Sequence, residues 1–545
     1  EGWAVNKEAD LFKVVPEIDL PMIVRYAAER NVGIILWAGY WAFDRDMERV
    51  CKHYSEMGVK GFKVDFMDRD DQVMVDFHRR GAEMAAKYKL MIDYHGTYKP
   101  TGLQRTYPNV VNFEGVNGLE QLKWSRQIDQ VTYDVTIPFI RMVAGPMDYT
   151  QGAMRNATNK NYAAINSEAM SQGTRCRQLA QYVVFESPLN MLCDSPSNYE
   201  REEECTEFIA TIPTVWDQTV SLEGKVGEYV AIARRSGHDW YVGGMTDWNA
   251  REMTLDLSFL EEGRYKAELF RDGVNADKAA RDYKKEAVAI PADRKITVRM
   301  APGGGFAMKI TRKLPEVIAH RGYWKTEGSA QNSLRSFYKA ESIGCYGSEI
   351  DVWFTADNEL VVNHDRVYQG VSMETASAAE ITAVRLGNGE FIPMLETMLM
   401  AVKGTGNTRL VYEAKSIKDV SRIPAATSQA ISMLRKYGLV ERTDVIAFSH
   451  EYGLEFIKQL PGTKVFHLNG DLTPAQLKAE GYAGLDYSVK VMKKNPQWVN
   501  EAHELGLEVN VWTVNSKEDM EYFISLGVDY ITTDEPELLQ SVLRQ

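Results

Sequence analysis

No apolar run in the 545 residues approaches the ~20 that a membrane-spanning helix needs. No low-complexity tract or disordered linker interrupts the chain. Cysteine is scarce: Cys51, Cys176, Cys193, Cys205 and Cys345 are the whole set, and no two stand as C-x-x-C. That excludes a zinc ribbon or a thioredoxin motif, and an odd, sparse set reads as buried thiols rather than a disulfide framework. Excess positive charge is lacking too. With 63 Lys and Arg against 76 Asp and Glu, the net charge of −13 argues against nucleic acid or an anionic membrane surface as partner. It leaves room for a local basic pocket around a phosphate. The chain opens "EGWAV" without an initiator Met or a leader, and reads as a piece cut from a longer sequence.

What is present is 44% hydrophobic and 26% charged, enough for large cores and for two or three domains. Residues 1–212 alternate short apolar runs with helix-like stretches. Runs at 32–41, 61–68, 88–96, 109–115, 138–149 and 188–196 predict six strands, with helices at 45–58 and 72–88. Such alternation means a parallel sheet, here a partial (β/α)8 barrel. Residues 213–312 carry short strands and turns without helical periods, which predicts an antiparallel β-sandwich. The "APGGGF" within it is a turn, since neither Lys-Ser/Thr nor a helix follows as in a phosphate loop. From 315 to 545 the alternation returns. Runs beginning at "EVIAHRG" and ending at "LEVNVWTVN", with "ELVVNHD" among them, predict eight strands and a complete second (β/α)8 TIM barrel. The fold class is α/β plus β.

Strand ends of the last barrel concentrate chemistry. "VIAHRGYW" runs an apolar strand into His320 and Arg321. "SEIDVWFT" puts Glu349 and Asp351 on one strand face, and "VYEAKS" does the same with Glu413 and Lys415. "VVNHD" adds His364. Three carboxylates converging in a barrel mouth repel one another unless a hard cation such as Ca²⁺ or Mg²⁺ sits among them. Two histidines can serve as base and acid, and Arg321 and Lys415 can hold an oxyanion. Together these parts describe metal-assisted phosphoryl transfer.

These motifs, with "FIPMLETML" and "VDYITTDEP", resemble the glycerophosphodiester phosphodiesterases over residues 315–545. The resemblance implies His320 and His364 as catalytic acid and base, and Glu349, Asp351 and Glu413 as ligands of a divalent cation, Ca²⁺ ahead of Mg²⁺. Arg321 and Lys415 would contact phosphate, and Trp512, taken as standing at the last strand end, would line the pocket for the alcohol. It further implies that a glycerol hydroxyl attacks phosphorus, giving a cyclic phosphate that water opens. One departure stands out. The family's P-E-N-T/S reads Ala330-Gln331-Asn332-Ser333 here, so a charge is lost in a role expected near the metal.

In the first half, "GFKVDFMDRDDQ" puts Lys63 and Asp65 on one strand face, and "VNFEGVNGLEQLKW" places Glu114 at a strand end and Glu120 in the loop beyond. An Asp and a Glu on different strands can flank a glycosidic bond, ~5 Å apart for retaining chemistry. Trp37, Tyr40, Trp41, Tyr94 and Tyr98 crowd the same rim, where sugars stack on rings. With "LWAGYW" and "VAGPMDYTQGAM", these motifs resemble glycoside hydrolase family 97, over roughly 1–200 for the barrel and 213–312 for the sandwich. The resemblance implies a calcium-assisted enzyme of the retaining, α-galactosidase-like subgroup. Asp65 matches its nucleophile, Glu120 its acid/base and Glu114 a calcium ligand. It also implies an upstream sandwich and two further barrel strands that this sequence does not contain.

The expectation is a bifunctional hydrolase acting on glycerophosphodiesters and on α-galactosides or related glycans, in a periplasmic or secreted location by resemblance. The alternative keeps the phosphodiesterase alone, with the first half an inactive carbohydrate-binding or scaffold module. A phospholipase of the sphingomyelinase-D type would want a long apolar lip beside the metal site, and none is evident.

Overall fold

A computed structural model describes residues 2–5, 9–291 and 293–544, so Glu1 lies outside it. The chain divides near residue 311 into two compact units, with residues 261–264 belonging to the second.

Parallel strands need long crossovers, and the first unit makes them from helices. Strands Ile35–Gly39, Gly61–Asp65, Met91–Tyr94 and Val110–Phe113 pair in that order, all parallel. Helix Tyr40–Met57 buries Phe43, Met47, Val50 and Tyr54, and ends on Gly58 at φ 101°, a left-handed cap that glycine takes without strain. Helix Gln72–Lys87 starts where the Asp71 carboxylate accepts from the Met74 N–H. Both apolar stripes pack on Phe62, Val64 and Ile92 of the sheet.

Four strands pair where six were expected. Residues 138–149 instead turn twice in short 3-10 segments, Ile137–Phe139 and Met142–Ala144. Pro138 and Pro146 lack the N–H a ladder needs, and Gly145 at φ 132° breaks the extended course. Residues 188–196 form no strand either. Single hydrogen bonds stand in the places of those ladders, from Asp148 N to Phe113 O at 2.9 Å and from Met147 N to Glu186 O at 2.9 Å. They suffice to carry the Asp148 carboxylate to the sheet's C-terminal edge. The rim of aromatics also needs correction: Tyr94 is wholly buried and donates its hydroxyl to His78 O, so it is core.

His78 makes a testable point about this core. It is 1% exposed, with Nδ1 2.7 Å from Met74 O and Nε2 2.8 Å from Thr97 Oγ1. Burial pushes its pKa down to about 4. The unfolded chain therefore binds the proton more tightly, and stability falls as pH drops from ~6.5 toward 4, by up to about 3 kcal/mol. Thermal unfolding followed across that range should show this loss, and His78→Gln should flatten it. An unchanged slope in the variant would assign the acid sensitivity elsewhere.

In the sandwich, six antiparallel strands run in the order 283–289, 264–272, 305–313, 239–246, 229–236 and 218–225. Strands Arg251–Asp256 and Lys295–Met300 form a second, two-stranded layer. Inward residues of both layers, among them Trp240, Val242, Leu255, Val298 and Met308, share one core.

The second unit closes a barrel of eight parallel strands: Glu316–Ala319, Gly347–Phe354, Arg409–Ala414, Thr443–Ala447, Val465–His467, Gly484–Ser488, Glu508–Trp512 and Tyr530–Thr533. The first strand pairs with both the second and the eighth, which completes the ring. Ile318, Val411, Ile446 and Phe466 fill the lumen, so the barrel is a packed core and not a pore. Eight strands were expected, but one was misassigned. Leu360–Val362 lies antiparallel against the end of the second strand, Val352 opposite Val362. Only residues 355–359 separate the two, too few for a parallel crossover, so a hairpin is the outcome. The eighth barrel strand is Tyr530–Thr533, and Trp512 ends the seventh strand, not the last.

Candidate functional site

In the closed barrel, the second and third strands pair Asp351 opposite Glu413. Glu349 sits two residues earlier on the same face. The three buried carboxylates offer oxygens within 4.8 Å of one another. Glu349 Oε2 accepts from the Arg321 backbone N–H at 2.7 Å, while its buried Oε1 has no hydrogen-bond partner. Burial and then the charges of Asp351 and Glu413 hold the Glu349 carboxyl well above its ordinary range. Glu413 is pushed up to about 7 by burial and by Asp351. Burial would raise Asp351 as well, but Lys415 and His364 bring it below the ordinary value. An all-oxygen set with an orphaned, desolvated lone pair fits a hard divalent cation.

Around that set the remaining expected residues assemble. Lys415 Nζ lies 3.0 Å from Asp351 Oδ1 and 2.8 Å from Glu413 Oε1. Arg321 Nε is 3.8 Å from Asp351 Oδ2. His364 follows the hairpin strand and not a barrel strand. Asn363 N donates to Asp351 O at 3.0 Å, which pins the hairpin beside the carboxylates. His364 Nδ1 is 2.8 Å from Asp365 Oδ1, and burial lowers the pKa of His364. Trp512 donates Nε1–H to Asp486 O at 2.9 Å and meets Phe448 edge-on, with ring centroids 5.6 Å apart.

Two residues at this mouth were missed from the sequence. Asp534, directly after the eighth strand, accepts from His320 Nδ1 at 2.8 Å, and also from Trp324 Nε1 and Asn515 Nδ2. Burial would raise its carboxyl, but the bond to His320 and that ring's charge outweigh it and bring the pKa down to about 2. The sequence signal is the strand-end Asp of "YITTD", on a strand outside the eight expected from the sequence. Asn332 is the other: its amide donates to Asp351 Oδ2 at 2.8 Å and its oxygen accepts from Asp351 N. The neighbouring Gln331 does not touch the carboxylates named above. Its Oε1 accepts from Arg321 Nη1 at 2.9 Å, so the lost charge bears on the guanidinium.

In the first unit, Asp65 ends its strand with both oxygens fixed, Oδ2 by Trp37 Nε1 at 3.0 Å and Oδ1 by the Phe66 N–H at 2.6 Å. Lys63 Nζ reaches Asp148 Oδ2 at 2.6 Å and stands 3.7 Å from Asp93 Oδ2. Its pKa is raised despite burial, by the charges of Asp148, Asp93 and Asp65. His95, unassigned from the sequence, is the hub. Nδ1 meets Asp148 Oδ2 at 2.6 Å, and Nε2 lies 3.3 Å from Glu114 Oε1 and 3.9 Å from Glu120 Oε1. Burial alone would lower its pKa, but the bonds to Asp148 and Glu120 raise it to about 10. Glu120 is correspondingly lowered, while burial lifts Glu114 to about 6.

His95, Glu114 and Glu120 could gather around an ion. Calcium prefers oxygens, and Glu114 and Glu120 supply them beside the His95 nitrogen, with Glu114 Oε2 also accepting from Gly96 N at 2.6 Å. Glu114 and Glu120 are thus the residues that could hold a cation here, as expected for Glu114.

Residues 1–116 match the family described as Glycoside hydrolase 97, and 215–311 match its C-terminal domain, described as Glycosyl-hydrolase 97 C-terminal, oligomerisation. Residues 320–538 match the Glycerophosphoryl diester phosphodiesterase family. The chain fuses family 97 glycoside hydrolase segments to a glycerophosphodiester phosphodiesterase domain. A retaining alpha-galactosidase of Bacteroides thetaiotaomicron is 69% identical over 311 residues, covering 57% of this chain and 47% of that protein. A glycerophosphodiester phosphodiesterase of Caldanaerobacter subterraneus is 29% identical over 246 residues, covering 42% of this chain and 98% of that one. A family 97 glycoside hydrolase of Pseudoalteromonas, solved with acarbose, superposes at TM-score 0.52 with 28% identity over 57% of this chain and 52% of that one. The chain thus spans under half the length of the curated α-galactosidases it matches, 47% and 42%. Among the described residues no helix is long and apolar enough to cross a membrane.

Proposed function

We propose that the phosphodiesterase domain hydrolyses glycerophosphodiesters with the help of a divalent cation, Ca²⁺ ahead of Mg²⁺. The observation that carries this reading is three buried carboxylates, one with an orphaned oxygen, beside a carboxylate-held histidine and two cations. Bound there by Glu349, Asp351 and Glu413, the cation would neutralise phosphate charge as a Lewis acid. Arg321 and Lys415 hold the remaining phosphate oxygens. His320, whose imidazolium the Asp534 carboxylate opposes, takes the proton of the attacking hydroxyl. His364 gives one to the departing alcohol.

In the glycosidase half, Asp65 serves as nucleophile toward an α-galactoside, its lone pairs oriented by Trp37 and Phe66. Glu120 serves as the acid/base toward the leaving oxygen, with His95 Nε2 standing 3.9 Å from its Oε1. The Asp65-bearing K-V-D-F motif and the relatedness to a retaining alpha-galactosidase support this assignment. By resemblance alone, we place the protein in the periplasm or the medium. Cell fractionation that recovers it only from cytosol would remove that placement.

The test is release of glycerol 3-phosphate from glycerophosphocholine with Ca²⁺, with Mg²⁺ and with chelator, beside hydrolysis of a chromogenic α-galactoside. Release is expected to need metal and to fall by about 10²–10⁴-fold in His320→Ala, while galactoside hydrolysis falls in Asp65→Ala. Metal-independent release, or release that survives His320→Ala, would sink the phosphodiesterase mechanism. Galactoside cleavage that is absent in the parent chain would leave the first half as the binding module.

A further inference from the structure

The two sides of the glycosidase mouth differ in charge. Glu114 lines one cavity together with Asp68 and Asp70, an acidic surround in which Arg69 is paired with Asp71. Glu120 lines another, of about 580 Å³, together with Lys123, Arg155 and Arg201. Among the described residues none of these three cations has a carboxylate within ion-pair distance. Arg155 has only a long contact to Ala169 O at 3.4 Å, and Arg201 donates to Asn198 Oδ1 at 3.1 Å. The one other carboxylate on that wall, Asp194, is spent on local turns: Oδ2 accepts from Met154 N, and Oδ1 from Ser195 N and Asn198 Nδ2. Lys123 lies close enough to help depress Glu120.

Three cations without a carboxylate partner thus line one ligand-sized cavity, on a chain of net charge −13 whose long-range field repels anions. A neutral sugar gives them nothing to neutralise. In a retaining glycosidase the acid/base stands on the side of the departing group, so the cavity that Glu120 lines receives the aglycone.

We infer that this cavity takes an anionic aglycone: a phosphate carried on a small polyol that is linked to the galactose. The inference rests on the reading of Glu120 as proton donor. It gives the fusion a chemical reason, because a galactosylated glycerophosphodiester would present a sugar to one half and a phosphodiester to the other.

The experiment compares kcat/KM for α-galactosylglycerol and for its phosphate monoester, which the phosphodiesterase domain does not cut. A charge-assisted contact to phosphate is worth roughly tenfold, so the phosphorylated substrate should lead by at least about that factor. The lead should shrink with added salt and collapse toward one in Arg155→Gln/Arg201→Gln. Equal kcat/KM for both substrates, or a lead unchanged in the double variant, overturns the inference. Should neither galactoside be cleaved, the reading of Glu120 fails, and calorimetry with inorganic phosphate decides the anion site separately. A phosphate site present in the parent and missing from the double variant upholds it, and identical heats in the two overturn it.

Discussion

Glu349→Gln is expected to give a chain more stable than the parent in chelator, yet without phosphodiesterase activity when metal is restored. Glu349 is buried, crowded by Asp351 and Glu413, and has one oxygen without a hydrogen-bond partner. Without a cation such a carboxylate costs the fold free energy in either form, through desolvated charge or through a proton held far above its ordinary pKa. The amide keeps the bond from Arg321 N and removes the charge, a gain of about 1–3 kcal/mol. The sign of the pH dependence follows. A carboxyl raised in the folded state penalises folding increasingly as pH climbs above its unfolded value of ~4.3. The advantage of the variant should therefore be largest near neutrality and vanish in acid. Metal reverses the order, because a ligand that binds only the folded chain stabilises the parent in proportion to its excess over Kd. Loss of the Lewis acid should cost about 100-fold or more in kcat. Chelator melts in which the variant unfolds first, or a variant that keeps its rate in metal, would refute the cation site.

The sequence made the period-two pairs legible because a strand's geometry is local. Glu349 with Asp351, and Lys63 with Asp65, share a face whatever the rest of the chain does. The eight-fold closure was legible in count and misread in membership, since Leu360–Val362 and Tyr530–Thr533 are both short apolar runs. The distinction between them is the length of the connection that precedes each, a topological fact. Illegible altogether were contacts made across the barrel mouth. His320 and Asp534 stand 214 residues apart, and His95 and Asp148 stand 53 apart. No spacing rule reaches that far. For the same reason the sequence points Gln331 to the metal's surroundings: it shows which charge is gone, and only packing shows that its neighbour is Arg321.

The His320–Asp534 contact should matter nearly as much as the histidine it holds. Asp534→Asn is expected to lower kcat for glycerophosphodiester release by about 10²–10⁴-fold with little change in KM. The carboxylate accepts from His320 Nδ1, which leaves Nε2 as the nitrogen available to the substrate, and it opposes the positive charge that grows on the ring during proton transfer. An amide in its place can present an N–H to the ring, favour the wrong tautomer and withdraw the counter-charge. Because Asp534 acts through His320, the double variant with His320→Ala should be no slower than His320→Ala alone. A purely structural role would instead give additive losses. The stability readout is independent of activity. Asp534, lowered to about 2, stabilises the fold fully above the unfolded pKa of ~3.9 and loses that contribution as pH falls toward 2. Asp534→Asn should therefore cost about 2–3 kcal/mol at neutral pH and almost nothing at the acid end of that window. Additive kinetics together with a pH-independent stability loss would show that Asp534 merely packs the barrel mouth.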